Sequence, residues 1–293
     1  MSRKTKRTIR TVLITLGALL VLLEGALSML GLSFDRPITT ETAVHFIDVG
    51  QGDASLLLSG GQAVLIDAGE TSAGETVVDY LEALGVTRLY AVVATHPHAD
   101  HIGGMAKVIE AFPIDNFYMG SETANTKTYE RMLDALNEQN IRPIVPQSGE
   151  ELAFESGAAI TFLGPADDVP ADDLNNRSIV CLFRAGDQRV LLMGDAEGIA
   201  EASLLKHHPF LSCEVLKVGH HGSDTSSTKY FLNRIRPDTA VISCGRDNDY
   251  GHPSPDTMLR LTEANIKDVR ITAEQGSVII QLDQPSDSKE NAA

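Results

Sequence analysis

Two mixed β-sheets packed face to face, with helices outside them, are the fold class that this 293-residue sequence predicts. Short apolar runs of strand length recur at residues 43–49, 55–58, 63–66, 89–94, 179–183, 189–193 and 239–242. Stretches with helical character separate many of them, and hairpin turns stand near both ends of the region, so the sheets are mixed.

Residues 43–49 read as the first strand, and Gly50-Gln51-Gly52-Asp53 as a glycine-punctuated turn. Strands at 55–58 and 63–66 form a hairpin around Ser59-Gly60-Gly61, and Asp67-Ala68-Gly69 ends the second of them. A helix over 76–84 stops at Gly85, a common C-terminal signal. Strand 89–94 runs into a loop, and a helix opens at Ile102. A strand at 116–119, a helix at 128–139 and strands at 142–145 and 158–163 follow. Residues 166–176 are acidic and loop-like. Strands 179–183 and 189–193 pair around Ala185-Gly186-Asp187-Gln188, a helix covers 198–206, and strand 215–218 comes next. Helix 227–235, strand 239–242, loop 244–254, helix 255–264 and strands 269–272 and 277–281 complete a domain spanning 43–283.

Residues 12–32 are almost wholly apolar, with Glu24 as the one charge. At about 1.5 Å per residue the run reaches about 30 Å, enough to cross a bilayer. Arg3, Lys4, Lys6, Arg7 and Arg10 precede it and predict a cytoplasmic N-terminus with the domain outside. The expectation is a single-pass signal anchor over 1–32 in the cytoplasmic membrane, followed by a linker at 33–42. The alternative is a cleaved signal peptide and a secreted protein, with the apolar core ending at Leu23 and Ala26-Leu27-Ser28 before the cut. The tail at 284–293 is polar and expected to be disordered.

The chain holds 24 Lys and Arg against 40 Asp and Glu. Beyond the anchor the balance is 19 basic and 39 acidic side chains, a formal charge of -20. Such a surface repels phosphate backbones at long range, so a nucleic-acid substrate would need a local positive site. Cys181, Cys213 and Cys244 each lie in an apolar run and read as small buried hydrophobes, not as a disulfide framework.

The densest chemistry lies in Thr95-His96-Pro97-His98-Ala99-Asp100-His101, with three histidines and an aspartate within six positions. Neutral imidazole is the commonest metal ligand, and Asp adds a hard oxygen. The cluster occupies a strand-to-helix loop. Alternate positions share a side there, so His96 and His98 can converge on one metal, leaving Asp100 and His101 for a second. Asp195 ends a strand after Gly194 and can point out of the sheet edge to bridge two metals. His220 and His221 also sit at a strand end, where adjacent side chains diverge, so one of the two is expected as a ligand. The other would bind substrate or donate a proton. His252, in a Gly/Pro loop, is a further ligand or general-acid candidate. Asp67 closes a buried strand and is expected to orient the His loop. Lys217, in an apolar strand, is a candidate to neutralise a phosphate or else to snorkel to the surface.

These motifs resemble the metallo-β-lactamase superfamily, whose signature matches Thr-His-Pro-His-Ala-Asp-His with Gly103-Gly104 close behind. The resemblance covers nearly all of residues 43–281 and implies a four-layer αββα sandwich with a one- or two-metal site at the sheet edges. Further segments narrow it: Asp48-Val49-Gly50-Gln51-Gly52-Asp53, Leu65-Ile66-Asp67-Ala68-Gly69, Asn175-Asn176-Arg177-Ser178, Met193-Gly194-Asp195-Ala196-Glu197, Lys217-Val218-Gly219-His220-His221-Gly222-Ser223 and Tyr250-Gly251-His252-Pro253. Together they resemble the hydrolase domain of the bacterial competence channel that imports DNA, and they are similar to extracellular choline-phosphate esterases of that branch. The resemblance implies His96, His98, Asp100, His101, Asp195 and, by spacing, His221 as ligands. It places Asp48, Gln51, Asp53, Asp67, Asn175 and Ser178 around them or against substrate. Most members supply a third His to the first metal, yet no His occurs here from Ile102 to Lys206, and Asn175 stands at the matching position. A nitrogen-poor first site softens the case for zinc, makes manganese credible and predicts weaker binding there.

The function expected is a metal-dependent phosphodiesterase or nuclease. Two divalent ions would bind a bridging hydroxide and stabilise the leaving oxygen, with Asp100, His220, His252 and Lys217 as catalytic candidates. The resemblance suggests DNA as substrate, and the charge favours a short or single-stranded piece. The alternatives are a small cell-envelope phosphodiester or lactone, or a binding module that kept the fold and lost turnover.

Overall fold

The structure, a computed structural model, describes residues 41–282. The apolar run at 12–32 and the tail beyond 282 lie outside the described residues. Among the described residues no helix is long and apolar enough to cross a membrane.

Thirteen strands among the described residues form two sheets. The first sheet contains β1 (Thr42–Phe46), β2 (Ser55–Ser59), β3 (Gln62–Ile66), β4 (Leu89–Ala94), β5 (Ile114–Met119) and β13 (Val278–Leu282), in the order β13-β1-β2-β3-β4-β5. The second contains β6 (Glu151–Ala153), β7 (Ala159–Gly164), β8 (Val180–Ala185), β9 (Gln188–Leu192), β10 (Val215–Lys217), β11 (Thr239–Ile242) and β12 (Asp268–Ile271), in the order β12-β11-β10-β9-β8-β7-β6. Strands β3-β4-β5 and β9-β10-β11-β12 are parallel, and the rest of each sheet is antiparallel.

Side-chain alternation divides the apolar strands between two cores. Leu57, Val64, Ile66, Ala91 and Val93 of the first sheet meet Phe162, Cys181, Phe183, Val190 and Val241 of the second, forming the core between the sheets. Leu56, Leu58, Leu65 and Val92 point the other way and pack against helices α1 (Gly74–Ala83), α3 (Met105–Ala111) and α4 (Lys127–Glu138). On the far side of the second sheet, Leu191 and Leu216 meet α5 (Gly198–His207), α6 (Lys229–Ile235) and α7 (Pro255–Glu263). Strands buried on both faces have to be apolar at every position, which is why 89–94 reads as an unbroken hydrophobic run. Burying each large side chain contributes about 1.5–3 kcal/mol. The three cysteines are buried and free within these layers, as expected.

Three elements differ from the sequence expectation. Residues 142–145 form no strand; a single parallel bridge joins Ile144 to Tyr118, because Pro143 and Pro146 on either side of it have no amide hydrogen to extend a ladder. Strand β6, on Glu151–Ala153, was hidden because only Leu152 of its three side chains is buried. A one-turn helix, α8 (Thr272–Gln275), separates the last two strands.

Candidate metal centre

The polar residues that converge do so beyond the carboxyl ends of the parallel strands, where backbone loops of both sheets meet. Asp67 follows β3, Thr95 and His96 follow β4, Asp195 follows β9, and the 3-10 turn Gly219–Gly222 and Ser243 follow β10 and β11. Helix α2 (Ala99–Ile102) carries Asp100 and His101 directly behind the His loop. Gly104 closes that turn against Ala68, since a Cβ there would lie 2.3 Å from the Ala68 carbonyl oxygen.

Asp195 lies at the centre. Gly194, at φ 53°, turns the chain out of β9 in a conformation that favours glycine, and the Asp195 amide donates to Ser178 Oγ at 3.0 Å. Asp195 Oδ1 faces His101 Nε2 at 3.1 Å and His221 Nε2 at 3.5 Å. Its other oxygen, Oδ2, faces His96 Nε2 at 3.6 Å and His220 Nε2 at 3.8 Å. His98 Nδ1 stands 3.0 Å from His96 Nε2. Asp100 Oδ2 is 3.2 Å from His221 Nε2, on the ring nitrogen that also faces Asp195.

Each imidazole around Asp195 is held from behind. His101 Nδ1 meets Asp67 Oδ2 at 2.7 Å, and Asp67 also accepts from the Thr95 amide and hydroxyl at 2.8 and 2.7 Å. His221 Nδ1 lies 3.0 Å from the Ser243 carbonyl. His96 Nδ1 lies between the hydroxyls of Thr95, at 3.1 Å, and Ser178, at 3.3 Å. His220 Nδ1 meets Glu197 Oε1 at 2.7 Å. Such partners fix ring orientation and leave the opposite nitrogen as the lone-pair donor a metal needs.

Two groups among the described residues bring ligand atoms within 4.8 Å of one another: His96, His98 and Asp195, and Asp53, His101, Asp195 and His221. The donor chemistry fits divalent cations. Asp195 Oδ1 and His101 Nε2 are buried 3.1 Å apart with no other hydrogen-bond partner, a pair that a cation between them would satisfy. Imidazole nitrogens and carboxylate oxygens are the donors that zinc and manganese accept.

The electrostatics point the same way. Burial, followed by the neighbouring His101 imidazole, holds His96 well below its ordinary pKa, so it stays neutral. Burial opposes the charged form of His101 and His221 too, but carboxylates outweigh it. Asp195 and Asp67 hold His101 well above its ordinary value, and Asp195 and Asp53 push His221 up to about 10. Burial would raise Asp195, yet His101 and His221 hold it well below the usual carboxylate range. Asp100, where burial is outweighed by the bond from His221, falls to about 2. Positive charge is thus held on the His101–His221 side even without a metal.

Several residues are placed otherwise than expected. Lys217 neither snorkels nor faces an open cleft. It is 1% exposed, and its Nζ donates to Asp53 Oδ2 at 2.7 Å and to the Val218 carbonyl at 3.0 Å, because β10 is buried on both faces. Asp53 lies on the Nδ1 side of His221, 3.5 Å away, behind the ring. Asp48 accepts from the Gly50 amide and Gln51 from the Gly245 amide, so both shape loops and neither meets the cluster. Asn175 does not reach Asp195; its Nδ2 donates to Glu197 Oε1 at 3.2 Å. His252 borders the cluster, its ring centroid 5.6 Å from that of His220 and 6.3 Å from that of His221, with a buried Nδ1 that has no hydrogen-bond partner. Burial, then His221 and His220, lower its pKa. Glu197 and Thr95 belong to the recognised motifs, but nothing in their spacing announced that they hold histidine rings.

Comparison with known proteins agrees with this architecture. The chain matches the model of the Metallo-beta-lactamase superfamily over residues 47–246. It is 30% identical over 259 residues to ComE operon protein 3 of Bacillus subtilis, covering 82% of this chain and 33% of that protein. It is 33% identical over 232 residues to Competence protein ComA of Neisseria gonorrhoeae, covering 78% of this chain and 31% of that protein. The chain therefore spans about a third of the length of these curated relatives. Among solved structures, the metallo-beta-lactamase fold protein YhfI of Bacillus subtilis superposes with a TM-score of 0.56 at 13% identity, over 83% of this chain and 100% of that one, a likeness of fold. The chain belongs to the metallo-beta-lactamase superfamily and is related to competence proteins over part of their length.

Proposed function

We propose that the domain is a metal-dependent phosphodiesterase that cleaves DNA, as a short or single-stranded piece, outside the cytoplasm. The observation that carries this reading is the shared carboxylate: Asp195 presents one oxygen to each of two imidazole clusters, the arrangement that suits a pair of ions. His96, His98 and Asp195 would hold one divalent ion, zinc or manganese, and His101, His221, Asp195 and Asp100 the other. Bound there, two such ions supply Lewis-acid polarisation of a phosphoryl oxygen and lower the pKa of water to roughly 7. The chain's own residues orient the rings through Asp67, Ser178, Ser243 and Glu197, and His252, beside His220 and His221, is the candidate to protonate a leaving oxygen. The resemblance to the hydrolase domain of a bacterial channel that imports DNA supports this substrate, and a relative named as a competence protein agrees with that resemblance.

A second reading, a small cell-envelope phosphodiester or lactone as substrate, is favoured by the charge of -20 beyond the anchor and by how nearby cations are used. A cavity of about 470 Å³ is lined in part by Arg177 and Lys206, but Arg177 is paired with Glu122 and Lys206 with Asp168. Metal-reconstituted protein assayed side by side on single-stranded DNA, a chromogenic phosphodiester and a lactone separates the readings. Cleavage of the lactone alone removes phosphodiester chemistry, and turnover of none leaves a binding module.

The export reading rests on the basic cluster before residues 12–32, as an anchor or a cleaved signal. A C-terminal reporter that fluoresces only in the cytoplasm should stay dark; a bright fusion contradicts it.

A further inference from the structure

We propose that His220 is the third imidazole ligand of the first ion, so that the adjacent histidines of the Gly219–Gly222 turn divide between the two centres. The inference rests on the metal-binding reading above and concerns how that site is completed.

The first group offers two imidazoles and one carboxylate oxygen, a short ligand set for a cation. His220 Nε2 faces the same Asp195 oxygen that His96 Nε2 faces, at 3.8 Å against 3.6 Å. Two ligands each about 2.1 Å from a common tetrahedral ion stand roughly 3.4 Å apart, so both separations from Asp195 lie close to ligand spacing, and His220, which is outside the 4.8 Å group of His96, His98 and Asp195, has to swing toward them as the ion binds. The pattern of support is also shared. Like His101, His220 has Nδ1 tied to a carboxylate at 2.7 Å and Nε2 aimed at Asp195. Glu197 is itself fixed, with its amide donating to Asn176 Oδ1 at 3.0 Å and its carboxylate accepting from Asn175.

The backbone explains how two neighbours serve two centres. His220 and His221 both adopt positive φ, 46° and 53°, a conformation costing about 1–3 kcal/mol for a residue with a side chain. An extended strand would send adjacent side chains to opposite faces. The left-handed pair instead swings both rings toward Asp195, His221 to Oδ1 and His220 to Oδ2. The sequence expectation of one ligand from this pair assumed strand geometry.

The test uses the full chain purified in detergent, stripped with chelator and titrated with Mn²⁺ and with Co²⁺. Stoichiometry is read by elemental analysis and coordination by the cobalt absorption spectrum. Wild type should take two ions. His220→Ala should lose the weaker-binding ion or bind it at least tenfold more weakly, and shift the cobalt band of that centre. His221→Ala should lose the other ion. Glu197→Gln, which keeps the ring but weakens its anchor, should weaken the same centre as His220→Ala by about 10–100-fold. Far-UV circular dichroism of the stripped variants shows that each is folded. If folded His220→Ala binds both ions with wild-type affinity and an unchanged cobalt spectrum, His220 is not a ligand, whatever happens to turnover. A wild type that binds no second ion would overturn the dinuclear reading itself, a failure visible before any variant is made.

Discussion

Around Asp195 Oδ1, the rings of His101 and His221 are fully buried and tied to a carboxylate and a backbone carbonyl. Around Oδ2, His96 is held by two hydroxyls, His98 is half-buried, and the side chain of His220 is 24% exposed. The Oδ1 side therefore buries both of its imidazoles and holds protons on them, whereas the Oδ2 side shows more imidazole surface to solvent. The difference teaches that one carboxylate can join two centres with separate tasks. The enclosed centre should bind tightly and exchange slowly. The open centre should exchange readily and meet the substrate first.

The largest effect should come from removing what the two centres share. Asp195→Ala deletes both oxygens at once and leaves His101 and His221 without the carboxylate that balances them. Metal content after a chelator wash should fall from two ions toward none, and activity by a hundredfold or more, the scale of losing one preorganised electrostatic group. Equal metal content in variant and wild type would end the idea that Asp195 bridges the centres.

Next comes the support behind the enclosed centre. Lys217 and Asp53 form a buried pair at 2.7 Å, with side chains 1% and 5% exposed. Lys217→Met leaves Asp53 charged and without its main partner, which should cost about 3–5 kcal/mol in urea denaturation of metal-stripped protein. Adding Asp53→Asn should recover most of that loss, because the burden is the orphaned charge and not the missing lysine. A double variant as unstable as the single one would mean that packing of the lysine stem matters more than the charge.

The contrast in protonation gives a third handle. Without metal, His221 keeps its proton up to about pH 10. The stability it contributes is complete below the unfolded imidazole value, near 6.5, and is lost as pH rises toward 10. Asp100 works in the other direction, contributing above roughly 3.9 and losing it as pH falls through about 2. His96 is already neutral. Loading the enclosed centre should therefore release protons, and its affinity should rise with pH by about tenfold per unit for each proton displaced. Isothermal titration at pH 6 and pH 8 in buffers of different ionisation enthalpy counts the protons. No proton release on loading would mean that His221 is not protonated in the metal-free protein.

The same contrast explains what the sequence revealed. His96, His98, Asp100 and His101 are contiguous, and one strand-to-helix loop brings them together, so their type and spacing disclosed half of the site. Asp195 was legible because Gly194 marks a turn at a strand end. Dispersed residues were harder to place. Lys217 gave no sign that Asp53, 164 positions away, would claim its amine, because that pairing depends on how the two sheets stack. Glu197 lay in plain view two residues after Asp195, but its bond to His220 depends on a left-handed backbone pair that no propensity for histidine suggests. The layers themselves were readable wherever a strand is buried on both faces. They failed at β6, where only Leu152 carries the signal.

The smallest expected effect is that of salt, and it tests whether the open centre takes its substrate unaided. If the ions at Asp195 are the main positive charge that a polyanion meets, the acidic surface should repel an oligonucleotide, most strongly at low ionic strength. The Debye length is about 10 Å at 0.1 M salt, so raising salt from 0.02 to 0.2 M, roughly a threefold contraction of that length, should screen the repulsion. The initial rate on single-stranded DNA should then hold steady or rise severalfold. A nuclease gripping several phosphates through a basic groove would lose orders of magnitude over such a range, because counterion release penalises each contact. A small zwitterionic diester would feel little in either direction. Measuring both substrates in one salt series with the metal-loaded full chain compares them directly. Steep loss on the oligonucleotide alone would mean that cations such as Arg177 or Lys206 leave Glu122 and Asp168 to meet the substrate, and the open centre would no longer act by itself.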